Sequence, residues 1–467
     1  MRKTVAYFLS LVLILACSPA GERQDCLPPI YPDYTFVTIP ENIAPLNFKV
    51  ERASRVRVSV NGIVCARGCY ASFNERQWRK LTSVNDTLKV EVDARIDGKW
   101  LEYEAFEIYV SRDTIDQTIV YRRLDPGFEL YAKMGIYQRE LGSFKEHAVY
   151  LNNSVGVGCV NCHSFAKANP SMLQLHFRGS NGGTLLKTGS ESKVLNMKND
   201  LTLGTVYPYW HPDGRFIAYS VNDIRQSFHN LPGKVLEVYD LASDVTVYDT
   251  ERNELLVYPV LQDSTRFETF PAFSADGKTL FFCSAPASRD FENIRYSLYS
   301  IGFNPQDGSV SEDISPVWQS EGKSASFPRP SYDGKYLMFT VSDFGNFSIW
   351  HPEADLYQMD LTSGEVRQLD ELNSSDTESY HSWSSDSKWV VFSSRREDGR
   401  YTRLYISHLG LDGRWSKPFL LPQKDPDYNI ELLQSYNIPE FCNGKIEVDA
   451  GPVADKMRTP VKARKVE

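Results

Sequence analysis

The chain reads as an all-β protein on three observations. Aromatic residues are abundant, with 26 Tyr, 25 Phe and 8 Trp among 467 residues, and such side chains suit pleated, half-buried surfaces. Short runs alternate apolar and polar residues, the period of a strand with one buried face. Four similar hairpin units follow one another in the second half, three of them turning on Asp-Gly. A chain of this length holds two or three domains. Its net charge of −9 argues against a nucleic-acid partner.

Residues 1–17 read as an export signal rather than as part of the fold. Arg2 and Lys3 precede an apolar run over residues 5–16, too short to span a bilayer as a stable helix. The run ends Ile14-Leu15-Ala16-Cys17, which resembles a bacterial lipobox with Cys17 as the lipidated residue. That resemblance implies a membrane-anchored lipoprotein of the cell envelope, on the periplasmic or surface face of the outer membrane. An ordinary signal peptide cut near Ala20 is the alternative. Residues 18–27 follow as a tether.

Residues 28–115 are expected to form a small immunoglobulin- or fibronectin-like β-sandwich. Strand-like runs lie at 34–37, 48–50, 56–60, 88–92 and 106–110. Cys65 and Cys69 flank a Gly-containing turn and are candidates for a local disulfide, which export permits. With Cys26, Cys283 and Cys442 they form an odd set, so at least one thiol stays free or pairs elsewhere; Cys283 sits in an apolar run and reads as a core thiol.

Residues 116–200 are less regular, with a short helix expected within 138–151 and strands at 173–177 and 184–187 around a Gly-rich turn. Between them stands Gly158-Cys159-Val160-Asn161-Cys162-His163-Ser164-Phe165. C-x-x-C-H is the pattern of covalent haem c attachment, in which two thiols add to the porphyrin vinyl groups and the adjacent imidazole binds iron. On that reading Cys159 and Cys162 hold haem c, His163 is the proximal ligand, and Met172 or His176 supplies the sixth position. A structural zinc site and a plain disulfide are the competing assignments; a second C-x-x-C, usual for structural zinc, is missing.

The repeat spans residues 201–445, before a polar tail at 446–467. Tyr207-Pro208-Tyr209-Trp210 leads into His211-Pro212-Asp213-Gly214. Phe270-Pro271-Ala272-Phe273, Phe327-Pro328-Arg329-Pro330 and Tyr380-His381-Ser382-Trp383 lead into equivalent turns, with Ser387 replacing the last Gly. The units recur at about 53 to 63 residues. They resemble the TolB-like, WD-type β-propeller repeat of exported bacterial proteins, which implies five or six blades, six being favoured. Weaker hairpins near 173–200, with the segment before the C-x-x-C-H or the stretch 428–441, complete the ring. Lipobox, sandwich, C-x-x-C-H and propeller together also resemble a group of Bacteroidetes lipoproteins.

In that fold the first strand of each unit lines the central channel. Glu268 and Glu378 share one repeat position, Arg329 replaces a small residue and His381 replaces a Pro, so these four are the expected ligand channel. No G-x-S-x-G or phosphate-cradling Gly loop is present in the sequence. The function expected is a lipid-anchored propeller that binds an envelope protein, a small molecule or a glycan and carries one haem c. The alternative is a carbohydrate-active, lyase-like propeller using His211, His229 and His381 with a metal.

Overall fold

The computed structural model describes residues 21–125, 134–154, 158–179, 182–197, 204–231, 234–319 and 321–467. Cys17 lies outside the described residues.

Six four-stranded antiparallel meanders, two of them widened by a fifth, parallel strand, succeed one another as the blades of a propeller. Blades II to VI begin with the inner strands Gly158–Phe165, Thr205–Trp210, Arg266–Phe273, Ser324–Pro330 and Glu378–Trp383. Each then meanders outward through three further strands. Blade I differs: Thr118–Leu124, Gly135–Glu140 and Glu146–Leu151 come from before the repeats. Its innermost strand, Ser435–Cys442, returns from the far end of the chain to pair with Thr118–Leu124. Joining first and last segments in one sheet closes the ring and leaves no open inner edge. Both stretches considered for extra blades therefore build one blade.

The repeat turns obey their residues. Gly214, Gly277 and Gly334 take φ of 81°, 72° and 73°, and Ser387 takes the same left-handed conformation at 61°. The preceding Asp carboxylates accept from the backbone N–H two residues on, as in Asp276 with Lys278. The helix expected within 138–151 is a hairpin instead. Gly142 and Ser143 break the run; Gly135–Glu140 pairs with Thr118–Leu124, and Glu146–Leu151 pairs with Gly135–Glu140.

The N-terminal unit is a seven-stranded sheet around Thr87–Ile96, with a separate two-stranded pair and one helix, Glu75–Val84. The strand pattern did not reveal this helix. Asn74 caps it by accepting from the N–H groups of Arg76 and Gln77, and it buries Trp78 and Leu81. Cys65 lies in the strand Ile63–Gly68, so the expected Cys65–Cys69 bridge is not formed and both thiols are free. The core of this unit is continuous with blade VI through Trp389, Leu404 and Phe419. Trp389 Nε1 donates to the Asp113 carbonyl at 3.1 Å, which fixes the junction.

The tail is not merely polar chain. Helix Ala450–Arg458 buries Val453 and Met457, then Val461–Lys462 and Arg464–Val466 add in parallel to the outer edges of blades II and III.

Candidate functional site in the propeller channel

One backbone device recurs in all six inner strands. Cys162, Tyr207, Phe270, Phe327, Tyr380 and Ile438 adopt φ between 45° and 54°. Each sits at a break in register, where two residues of the inner strand oppose one of its neighbour. The break aims the side chain at the propeller axis. Rings consequently meet there: Tyr207–Phe270 at 4.5 Å, Phe270–Phe327 at 4.1 Å and Phe327–Tyr380 at 4.8 Å between centroids. These side chains plug the channel. The next residue is Pro208, Pro271, Pro328 or Pro439 in four blades, because an N–H inside the bulge has no ladder partner to lose. The two exceptions are His163 and His381.

The C-x-x-C-H is therefore blade II's copy of the repeat frame. Cys162-His163-Ser164-Phe165 occupies the place of Tyr380-His381-Ser382-Trp383. Cys162 is a buried, free thiol, and burial raises its pKa. Cys159 is half-buried and accepts from Arg122 Nη2 at 3.0 Å. The His163 side chain is 1% exposed, and burial lowers its pKa to about 4.

This arrangement does not fit haem. The cavity lined by Cys162 and His163 measures about 20 Å³, whereas ligand pockets run to roughly 300 Å³ or more. The two expected sixth ligands are engaged elsewhere. Met172 lies against Gly214 at the turn end of the blade, and His176 Nδ1 contacts Thr184 Oγ1 at 3.0 Å. No three His, Cys, Asp or Glu side chains converge as metal ligands among the described residues. Nor do the lyase-like histidines meet. His211 Nε2 pairs with the Gly277 carbonyl at 2.9 Å in a turn, and His229 lies on the long hairpin of blade III. Cys159 and Cys162 form no disulfide.

Two residues past the plug, the inner strands present Ser164, Tyr209, Ala272, Arg329, Ser382 and Glu440. Five of these, all but Ala272, line a cavity of about 40 Å³ at the mouth; Arg329 and Glu440 also line the deeper one. The Arg329 guanidinium stacks over Tyr209 at 5.2 Å and donates to the Pro328 carbonyl at 3.2 Å. It forms no ion pair among the described residues. Burial pushes the Glu440 carboxyl up to about 8, against the opposing pull of Arg329 and Ser164. Glu440 Oε2 and His163 Nε2 stand 4.0 Å apart, and each lacks a hydrogen-bond partner. His381 Nε2 pairs with the Met338 carbonyl at 3.0 Å, and burial lowers its pKa to about 3.

Of the four expected channel residues, Arg329 and His381 share the deeper cavity while Glu268 and Glu378 do not join them. Both glutamates stand two residues before the plug, where strand alternation and the bulge turn side chains onto blade faces. Glu378 is fully buried there, accepting from Arg396 Nη2 at 2.9 Å and Ser394 Oγ at 2.7 Å. Glu268 is buried near Asp244, and burial raises its pKa to about 8. Glu440 and the channel role of His163 were missed. The signal was present, since Ile438-Pro439-Glu440-Phe441 repeats the pattern of Phe270-Pro271-Ala272-Phe273.

No protein-family profile matches the chain, and no curated protein matches it. Solved structures similar to it include puromycin hydrolase, at 12% identity and TM-score 0.41, over 65% of this chain and 45% of that one. A chain of the nidogen/laminin complex matches at 8% identity and TM-score 0.41, over 70% of this chain and all of the other. Prolyl oligopeptidase B from Galerina marginata matches at 9% identity and TM-score 0.37, over 73% of this chain and 50% of that one. The chain spans less than half of the puromycin hydrolase chain. At such identities the likeness concerns architecture, and the six-bladed β-propeller rests on the strand pairing itself.

Proposed function

We propose that this protein is an exported, lipid-anchored β-propeller of the cell envelope that binds a small ligand at its channel mouth. The observation that carries the binding role is Arg329: a cation among aromatic walls, without a carboxylate partner, at the meeting of two linked cavities. A buried or half-buried charge of this kind is costly unless something pairs with it. Export and anchoring rest on Arg2, Lys3, the apolar run and Cys17; two or more acyl chains on one cysteine suffice for stable attachment. Haem is left out of this reading, because the cavity beside Cys162 and His163 measures only about 20 Å³.

Detergent partitioning of wild type against Cys17→Ala tests the anchor: wild type is expected in the detergent phase and the variant in the aqueous phase. If both stay aqueous, the lipoprotein assignment is wrong. Small-ligand screening read by Trp210 and Trp383 fluorescence tests the mouth, because both indoles line it.

A further inference from the structure

Resting on the channel-mouth role, we propose that the ligand presents a single carboxylate to Arg329, with Glu440 and His163 as the deeper polar contacts. Arg329, the cation that lines both cavities, points to an anionic ligand group. Arg329 brings one positive charge, spends one donor on the Pro328 carbonyl and has no acidic partner among the described residues. The planar fork of a guanidinium matches a carboxylate with two parallel hydrogen bonds. Lys167, an exposed side chain, also lines the mouth cavity but not the deeper one; the buried groups beside Arg329 are uncharged near neutrality. Burial keeps the proton on Glu440 and off His163 and His381, and it raises the Tyr209 phenol to about 12. A protonated Glu440 can donate to a ligand oxygen, where an ionised one would repel it.

Size selects the same chemistry. Cavities of about 40 and 20 Å³ hold a group of a few atoms, since one water needs roughly 10–15 Å³. A planar carboxylate fits that space. The unpartnered Glu440 Oε2 and buried His163 Nε2 are independent signs of a polar occupant, because buried polar atoms normally have partners.

The test is calorimetric and fluorescence titration of the mature full chain with acetate and propionate, with acetamide, phosphate and sulfate as comparators. Acetate or propionate is expected to bind saturably at pH 7 and acetamide not to. Arg329→Gln should weaken binding by at least about tenfold, the loss of a charge-assisted pair, with Arg329→Lys between the two. Unchanged melting temperatures would show that these variants fold. Carboxylate affinity should fall about tenfold from pH 7 to pH 9 as Glu440 ionises, and Glu440→Gln should abolish that fall. Glu440 faces Arg329, His163, Tyr209 and Tyr332, with Cys442 and Asp116 beyond. Binding of phosphate or acetamide with acetate silent would overturn the carboxylate assignment and leave the mouth as the site. Silence from every probe would overturn both.

Discussion

Blades II and VI carry the same frame with one difference at the axis. Blade VI puts the Tyr380 ring into the plug, while blade II puts the Cys162 thiol there; His, Ser and an aromatic residue follow in both. The consequences diverge from that point. His381 pairs with the Met338 carbonyl and His163 meets the backbone of Val120, but His163 also faces Glu440 across a cavity beside the smaller plug residue. A thiol beside a histidine in a repeat takes its meaning from the repeat register, and here the register places both inside the ring.

The largest effect should come from the plug itself. Phe327→Ala removes a buried ring packed on Phe270 and Tyr380. It is expected to cost about 3–5 kcal/mol by urea denaturation, against about 1 kcal/mol for Cys162→Ala. Equal losses would mean that the thiol packs as heavily as a ring, and the two blades would not differ as described.

Proline substitution sharpens the frame. His163→Pro installs the residue four sister blades already carry, and should cost no more than about 1.5 kcal/mol. Val160→Pro removes an N–H donated to Asn152 Oδ1 at 2.9 Å and should cost about 3 kcal/mol or more. The reverse order would show that the bulge is not where blade II tolerates proline.

Charge separates the blades next. Glu440, raised to about 8, is protonated when folded and ionises from about 4.5 when unfolded. Its contribution is thus full below pH 4.5 and is lost as pH rises through 8. Wild type should lose stability relative to Glu440→Gln across that window, on the order of 1 kcal/mol per pH unit. His351, between Glu237 and Glu353, is raised to about 9 and adds a second loss through that value. On the acid side His163 and His381 are lowered, so their contribution is full above 6.5 and disappears as pH falls through about 4 and 3. Melting curves from pH 3 to 10 check all of these.

The smallest expected effect is a null. A pyridine haemochrome assay on protein from cells able to mature c-type cytochromes should show no covalent haem, as for Cys159→Ala/Cys162→Ala. One haem per chain would mean that blade II does not close as the other five do.

Much of this was legible beforehand because it is local. Asp-Gly turns, alternating strands and the apolar-Pro or aromatic-His steps depend on neighbouring residues, so the sequence alone determined an all-β chain with a propeller repeat. It even held the clue to blade II, since Cys162-His163-Ser164-Phe165 parallels Tyr380-His381-Ser382-Trp383. The helix Glu75–Val84 escaped because its apolar face is short and means something only against the core it covers. Pairing across more than 300 residues closed the ring through Ser435–Cys442, and no local pattern specifies such a partner. Only the tertiary structure decided that Glu268 and Glu378 face the blades while Arg329, Glu440 and His163 face the channel. The same repeat position yields either outcome until the bulge sets its direction, and protonation follows from burial, which belongs to the folded whole.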